Sequence, residues 1–403
     1  MRKPAHTRVS RRTFVRTTAA AAVACGAPWV VRAQSPLTLS FRTIRDPDGW
    51  YPSLRLKGDW LIFEISDGVL SGFGEASHSM DDEGCKRTAA GLFTEHYAGF
   101  SPSLENLARK EREIAALEPD FVTATAFSGI NQALYDLLAK RERVPVWQLF
   151  RSGTAFHGLP LYTTINRALQ TRTAEEYSAV VGELQALGFK TFKCAPFEAV
   201  NGPDHAVEKA AAGLATLARL RQQFPDLAVR VDFHERFQPK DFYALIPELE
   251  RLKLDWLEEP FPVGPTYDEL KRKTHLRLSG GELFWGRRRF EEITEHRWVD
   301  VIMPDVKHCG GLLELTRIAA VAENDAVTVA PHNPSGPVST AASIQVCAVL
   351  KNFRLLEFQW GETAWRHDLL NPPERFENGA IRVPERPGLG VDLNERILRA
   401  YLM

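Results

Sequence analysis

Cysteine is scarce in this chain. Only Cys25, Cys85, Cys194, Cys309 and Cys347 occur among 403 residues, and no two have C-x-x-C spacing. That pattern excludes thiolate zinc or iron–sulfur centres and a disulfide-stapled scaffold. Net charge is slight as well: it is −1 with 25% charged residues, so no basic excess points to a nucleic-acid partner. Beyond the first 33 residues no apolar run reaches the length of a membrane span. Low-complexity tracts are also missing, and 44% apolar residues can bury a large core.

What is present is a periodic set of ionisable residues in the C-terminal half. Asp232, Glu258, Glu282, Asp305, His332 and Glu357 follow one another at intervals of 26, 24, 23, 27 and 25 residues. Each lies at or within one residue of the end of a short, largely apolar run: LAVRVD, LDWLEE, LRLSGGE, VDVIMPD, AVTVAPH or FRLLEF. One strand, a loop, a helix and a return loop consume about that many residues, so the pattern predicts successive β/α units. In a β/α barrel the carboxyl ends of the strands share one mouth, where active sites are built. Any one of these residues alone would serve equally well as a helix cap or a solvated turn. Six in phase point to a common constellation.

The N-terminus carries a processing signal. Ser10-Arg11-Arg12-Thr13-Phe14-Val15-Arg16 precedes a weakly apolar stretch, then Val31-Arg32-Ala33, an A-x-A-like cleavage site. It resembles a bacterial twin-arginine export signal, which implies a periplasmic protein beginning near Gln34; a basic arm or short anchor is the alternative. Removing residues 1–33 takes away Arg2, Lys3, Arg8, Arg11, Arg12, Arg16 and Arg32 and leaves 43 basic against 51 acidic residues. Residues 35–75 alternate like strands and 82–151 read as helices, so 34–155 is expected to form an α+β module. Strand and helix signals alternate over 156–360. The Pro- and Gly-rich segment 361–403 is expected to return to the first module.

Asp232, Glu258 and Glu282 offer three carboxylates on consecutive strands with no soft ligand among them. Hard oxygen donors of this kind suit Mg²⁺; the alternative is charge pairing with Arg236 or Lys307. Asp305 and His332 end neighbouring strands, and a carboxylate beside a histidine fixes the ring tautomer and raises its basicity, as a general base requires. In Asp232-Phe233-His234, strand alternation would turn His234 into the same space as Asp232, and would likewise put Lys193 and Ala195 on one face.

The motifs VDF, LEEP, GGE and MPD, the histidine loop APHNP, GFGEAS and VPVWQLF together resemble the enolase superfamily, mandelate racemase branch. The resemblance covers nearly all of the chain beyond residue 35. It implies an α/β fold: a modified (β/α)7β TIM-type barrel with an α+β capping domain. It also implies Mg²⁺ on Asp232, Glu258 and Glu282, a base dyad of Asp305 and His332, and Glu357 at the substrate carboxylate. The shared chemistry would be abstraction of a proton α to a carboxylate. Racemases of this branch carry Lys-x-Lys on the second strand, whereas here the pair is Lys193 and Ala195. DFH followed by an arginine, with APHxPxGP, is similar to the acid-sugar dehydratases, where that histidine is the general acid.

The expectation is therefore an Mg²⁺-dependent dehydratase of a sugar acid, with His332 as base, His234 as acid and Lys193 supplying positive charge. The alternatives are a racemase or epimerase using Lys193 as second base, and an exported binding protein without turnover. Trp50, Tyr51, His78 and the SHSMDD stretch are candidates for substrate selection. The family resemblance further implies a homo-oligomer acting on a small carboxylate, with no membrane partner once mature.

Overall fold

The computed structural model describes residues 36–45, 59–150 and 156–402. The segment expected to be an export signal, with Cys25, and Trp50 and Tyr51 lie outside the described residues. The chain opens with an antiparallel sheet of β1 (Thr38–Arg45), β2 (Asp59–Ser66) and β3 (Ser71–Glu75), in the order β1-β2-β3. Helices α1 (Asp82–Tyr97), α2 (Leu104–Ala115), α3 (Phe121–Glu142) and the single turn α4 (Val146–Leu149) follow. Side chains start the longer three: Asp81, Ser103 and Asp120 each accept a backbone N–H two or three residues into the helix.

Helix α3 is buried all round from Ala124 to Ala139, so its sequence lacks a polar face. One side meets β3 at very short range. A Cβ on Gly72 would come within 2.1 Å of Ala133 O, and one on Gly74 within 2.1 Å of Gly129 O. Only hydrogen at those two positions lets the strand lie against the helix backbone.

Eight parallel strands then alternate with helices. They are β4 (Gly158–Thr164), β5 (Thr191–Cys194), β6 (Ala228–Asp232), β7 (Trp256–Glu258), β8 (Arg277–Gly280), β9 (Val301–Ile302), β10 (Thr328–Val329) and β11 (Leu356–Gln359). The intervening helices are α5 (Ala174–Ala186), α6 (Ala206–Lys209) with α7 (Ala211–Gln223), α8 (Pro239–Arg251), α9 (Tyr267–Lys273), α10 (Gly286–Glu295), α11 (Leu312–Asn324) and α12 (Pro337–Cys347). Neighbouring strands pair in chain order, β11 pairs with β4, and a bridge from Val329 to Phe353 completes the circuit. This is a (β/α)7β barrel. Its interior is filled by Tyr162, Trp256, Val301, Met303 and Ala330, with the buried Arg230 guanidinium 4.3 Å from the Trp256 ring.

The rest of the chain ties the ends together. A hairpin of β12 to β15 segments begins with β12 (Leu370–Asn371), which pairs with β15 (Asp392–Leu393). Between them β13 (Phe376–Glu377) and β14 (Ala380–Arg382) form a ribbon, and β14 lies antiparallel to the start of β4. The last helix, α13 (Glu395–Tyr401), places Glu395 2.8 Å from Arg42 on β1, and Leu402 bridges to Ile44. Cys85, Cys194, Cys309 and Cys347 are free and buried, and among the described residues no helix is long and apolar enough to cross a membrane.

The strand ends differ from the sequence expectation at one place. Glu357 is the second residue of β11 rather than at its carboxyl end, because the apolar run FRLLEF begins in the loop, where Phe353 only bridges to Val329.

The close approach of β3 to α3 makes two glycine substitutions opposite in sign. Gly74→Ala should lower stability by roughly 2–3 kcal/mol through overpacking against backbone. Gly91→Ala, at an exposed position of α1 with nothing within 4 Å of the new Cβ, should raise it by about 0.5–1 kcal/mol. Urea denaturation of both variants checks the pair, and equal effects would contradict the packing described.

Candidate active site

The mouth of the barrel opens under the capping module into a cavity of about 820 Å³. Lys193, Asp232, His234, Glu282, His332 and Glu357 line its barrel side, and Thr43, His78 and Met80 its cap side. His78 and the SHSMDD stretch are thus at the cavity wall.

Asp232 closes β6 and Glu258 closes β7, paired in register, while Glu282 lies two residues past β8. One carboxylate oxygen of each lies within 4.8 Å of the others. Asp232 and Glu258 are buried, and the Glu282 side chain is 12% exposed. The cation among them is neither Arg236 nor Lys307. Arg236 donates to Val200 O, and Lys307 is committed to Asp305. Instead the buried Lys193 ammonium lies 2.5 Å from Glu258, 2.9 Å from Glu357 and 3.3 Å from Asp232.

One ammonium does not balance this group. Burial and neighbouring carboxylates push Glu258 and Glu282 well above the ordinary carboxylate range, and burial pushes the adjacent Glu259 up to about 7. Asp232 is drawn down in spite of burial, by His234 and Lys193. Burial opposes the charge on Lys193 too, but Glu258, Glu357 and Asp232 together hold it well above its usual value. Glu282 Oε2 has no hydrogen-bond partner; His332 Nε2 is 3.3 Å away but is not aligned for one. Three oxygen donors with surplus negative charge and an orphaned acceptor fit a hard divalent cation. Glu259 braces the set, because its Oε1 accepts the Gly281 N–H at 2.6 Å on the turn into Glu282.

Asp305 and His332 meet as the sequence suggests, with Nδ1 2.8 Å from Asp305 Oδ2. The same carboxylate takes the Lys307 backbone N–H at 2.7 Å and its ammonium at 2.9 Å. Burial would raise Asp305, but Lys307, His308 and His332 outweigh it and keep it ionised well below the ordinary range. Burial lowers His332, and Glu357 and Asp305 offset this only in part. With Nδ1–H donated to Asp305, the lone pair on Nε2 is presented on the cavity side, towards Glu282.

His234 reaches the site by a different route from strand alternation. Strand β6 ends at Asp232, and His234 sits in a turn with φ of +48°. Its backbone N–H donates to Asp232 Oδ1 at 3.0 Å, and its Nε2 lies 3.1 Å from Asp232 Oδ2. Its side chain is 40% exposed, facing the cavity. Ala195 lies just beyond β5, buried, with its N–H on Asn166 Oδ1. No second lysine stands there.

Several supporting residues carry no sequence signal of their own. Glu357 is held by the Thr164 hydroxyl, the Tyr162 hydroxyl at 3.2 Å and the Asn333 N–H at 3.0 Å. Asn333 in turn donates to Thr340 on α12 and accepts from Ser343. Glu75, in the GFGEAS motif of the cap, accepts the N–H groups of Gly336 and Ser339 at 2.8 and 2.9 Å, capping α12 from another module. From α3, Thr125 contacts His308 Nδ1 at 2.9 Å, and Ser128 and Asn131 accept the N–H groups of Gly310 and Leu312. Both loops that carry the Asp305–His332 pair are therefore fixed by the capping module. GFGEAS was legible as a motif, but a buried helix cap 261 residues away in sequence was not.

Comparison with known proteins follows the same lines. Residues 176–397 match the enolase C-terminal domain-like family, and residues 56–150 match the mandelate racemase / muconate lactonizing enzyme N-terminal domain. A D-galactonate dehydratase of Ralstonia pickettii is 31% identical over 360 residues, covering 85% of this chain and 91% of that protein. One from Cronobacter sakazakii is 31% identical over 283 residues, covering 68% and 72%. Among solved structures, a mandelate racemase/muconate lactonizing enzyme-like protein from Rubrobacter xylanophilus superimposes with a TM-score of 0.80 at 28% identity, covering 92% of this chain and 98% of that one. The 3,6-anhydro-D-galactonate cycloisomerase of Zobellia galactanivorans shares the fold, with a TM-score of 0.78 at 24% identity and coverage of 92% and 100%.

The donor set can be tested without any substrate. Glu282→Gln, which keeps shape and removes charge, should weaken Mg²⁺ binding roughly tenfold or more in titration calorimetry. Unchanged affinity would remove Glu282 from the ligand set.

Proposed function

This chain belongs to the enolase superfamily, in the mandelate racemase / muconate lactonizing enzyme family, and on that premise we propose that it is an Mg²⁺-dependent hydro-lyase that dehydrates an aldonate-type sugar acid. The observation that carries this reading is the placing of two histidines on one cavity. His332 is locked by Asp305 and lies 3.3 Å from Glu282, while His234 lies 3.1 Å from Asp232. Dehydration needs one group to accept a proton from carbon and another to donate one to the departing oxygen.

Asp232, Glu258 and Glu282 would hold Mg²⁺, which supplies positive charge to the substrate carboxylate and so acidifies the α-carbon. His332 Nε2 takes the C2 proton, and the Asp305 carboxylate stabilises the imidazolium that results. Electron density from the broken C2–H bond moves into the carboxylate. His234 then gives a proton to the C3 hydroxyl, the C3–O bond breaks, and water leaves. The remaining enol tautomerises to a 2-keto-3-deoxy acid. Lys193 holds positive charge between Glu258 and Glu357, and Glu357 sits at the substrate carboxylate region as an ionised group drawn down by Lys193 and His332 against burial.

Racemisation would need a second base facing His332. Lys193, whose ammonium is bound by three carboxylates, and the absence of a lysine at Ala195 both favour dehydration. Galactonate dehydratases among the relatives support the same class of substrate. The Ser10–Arg16 motif with Val31-Arg32-Ala33 supports a further proposal, that the enzyme is exported and acts in the periplasm.

Two substitutions separate the roles. His332→Asn should cut solvent-deuterium exchange at C2 by roughly a thousandfold, read by proton NMR in D₂O with a turned-over sugar acid. Exchange at the wild-type rate would exclude His332 as base. His234→Asn should keep exchange while 2-keto acid production, followed by semicarbazide absorbance, drops about a hundredfold or more. Undiminished dehydration would exclude His234 as the acid.

A further inference from the structure

Gln359 is the last residue of β11, paired in register with Thr164 of β4, and it lines the cavity. It is only 1% exposed. Its Nε2 donates to two backbone carbonyls, Thr164 O at 3.1 Å and Trp360 O at 3.0 Å. Both amide hydrogens are thereby used, and the orientation of the amide is fixed. A flipped amide would set its oxygen against two carbonyl oxygens. What remains is Oε1, a buried acceptor with no partner. Leaving such an acceptor unsatisfied is costly, and a bound donor would relieve that cost.

Position narrows what that donor can be. Glu357 and Gln359 are two residues apart on one strand and share a face, so Gln359 stands about 6–7 Å further along the strand, towards the cavity mouth. A carbonyl oxygen cannot serve the substrate's carboxylate. It can serve a hydroxyl on the part of the substrate that extends away from the metal ligands.

We infer that Gln359 is a specificity-determining residue whose Oε1 accepts a hydrogen bond from one hydroxyl of the substrate's polyol tail. The inference rests on the sugar-acid reading of the site. Because the acceptor is fixed by two backbone carbonyls, it selects for a hydroxyl at one place and against an analogue that lacks it. A site of this kind discriminates because the deoxy analogue leaves the buried oxygen unpaired.

The test uses calorimetry on the protein with Mg²⁺ present, so that turnover is not required. D-galactonate and its 4-, 5- and 6-deoxy counterparts are titrated into wild type and into Gln359→Met, which keeps length and removes the acceptor. In the wild type, deleting one tail hydroxyl should weaken binding roughly ten- to a hundredfold. In Gln359→Met the parent should bind at about the level of that deoxy analogue, and the same deletion should have no further effect. Should the variant fold poorly, the wild-type deoxy series stands alone, and equal affinity across it overturns the subsite. Full discrimination retained in the variant also overturns it. Selective binding without 2-keto acid formation would overturn the proposed reaction and leave the subsite standing; turnover without selectivity would do the reverse. Failure of the wild type to bind any of these acids would overturn both.

Discussion

The Lys193 ammonium, buried between Asp232, Glu258 and Glu357, is the interaction around which the barrel mouth is organised. Buried charge is costly unless paired, and the pairing here is incomplete by design of the donor set: more carboxylates converge than one lysine can balance. The excess is what suits the three carboxylates to a divalent cation. It also restricts the lysine, since an ammonium held by three anions is a poor base and a good fixed charge. One arrangement therefore underlies both parts of the proposed reading, a divalent cation on the carboxylates and elimination instead of racemisation.

The base dyad depends on a second set of contacts that belongs to the cap. Glu75 caps α12 just after the His332 loop, and Thr125, Ser128 and Asn131 hold the loop after Asp305. Neither loop is anchored by long strands, because β9 and β10 are only two residues each. The short strands leave the positions of Asp305 and His332 to be set by hydrogen bonds from outside the barrel. Helix α3, buried from Ala124 to Ala139, carries the contacts to the Asp305 loop, and β3 needs glycine where it crosses that helix. Packing in the cap is part of the precision of the catalytic geometry.

Much of this was legible in the chain. The interval between charged residues announced the β/α repeat, since side-chain chemistry and strand ends keep the same period. Asp232, Glu258 and Glu282 could be expected to meet because carboxylates on consecutive strands converge wherever a barrel closes, and they do. His234 reached its place through a left-handed turn, although alternation along the strand had suggested the same result. Glu357 does face the cavity, but it was expected at the carboxyl end of its strand and is the second residue of it. The partner for the carboxylates was sought at Arg236 and Lys307, whereas Lys193 came from a strand some forty residues earlier in the chain.

Sequence by itself determined the repeat, the identity of the ionisable groups and the family of folds, because each is encoded in local period or residue type. Tertiary structure alone decided which charges neutralise which, and how Glu75, Asn333 and Gln359 serve the site. Those assignments depend on distances between residues far apart in the chain, and a hydrogen bond or ion pair forms or fails over a few tenths of an ångström. Gln359 shows the difference most plainly. As a letter after Phe358 it is one polar residue among many, and only two backbone carbonyls from separate segments turn its oxygen into a fixed acceptor.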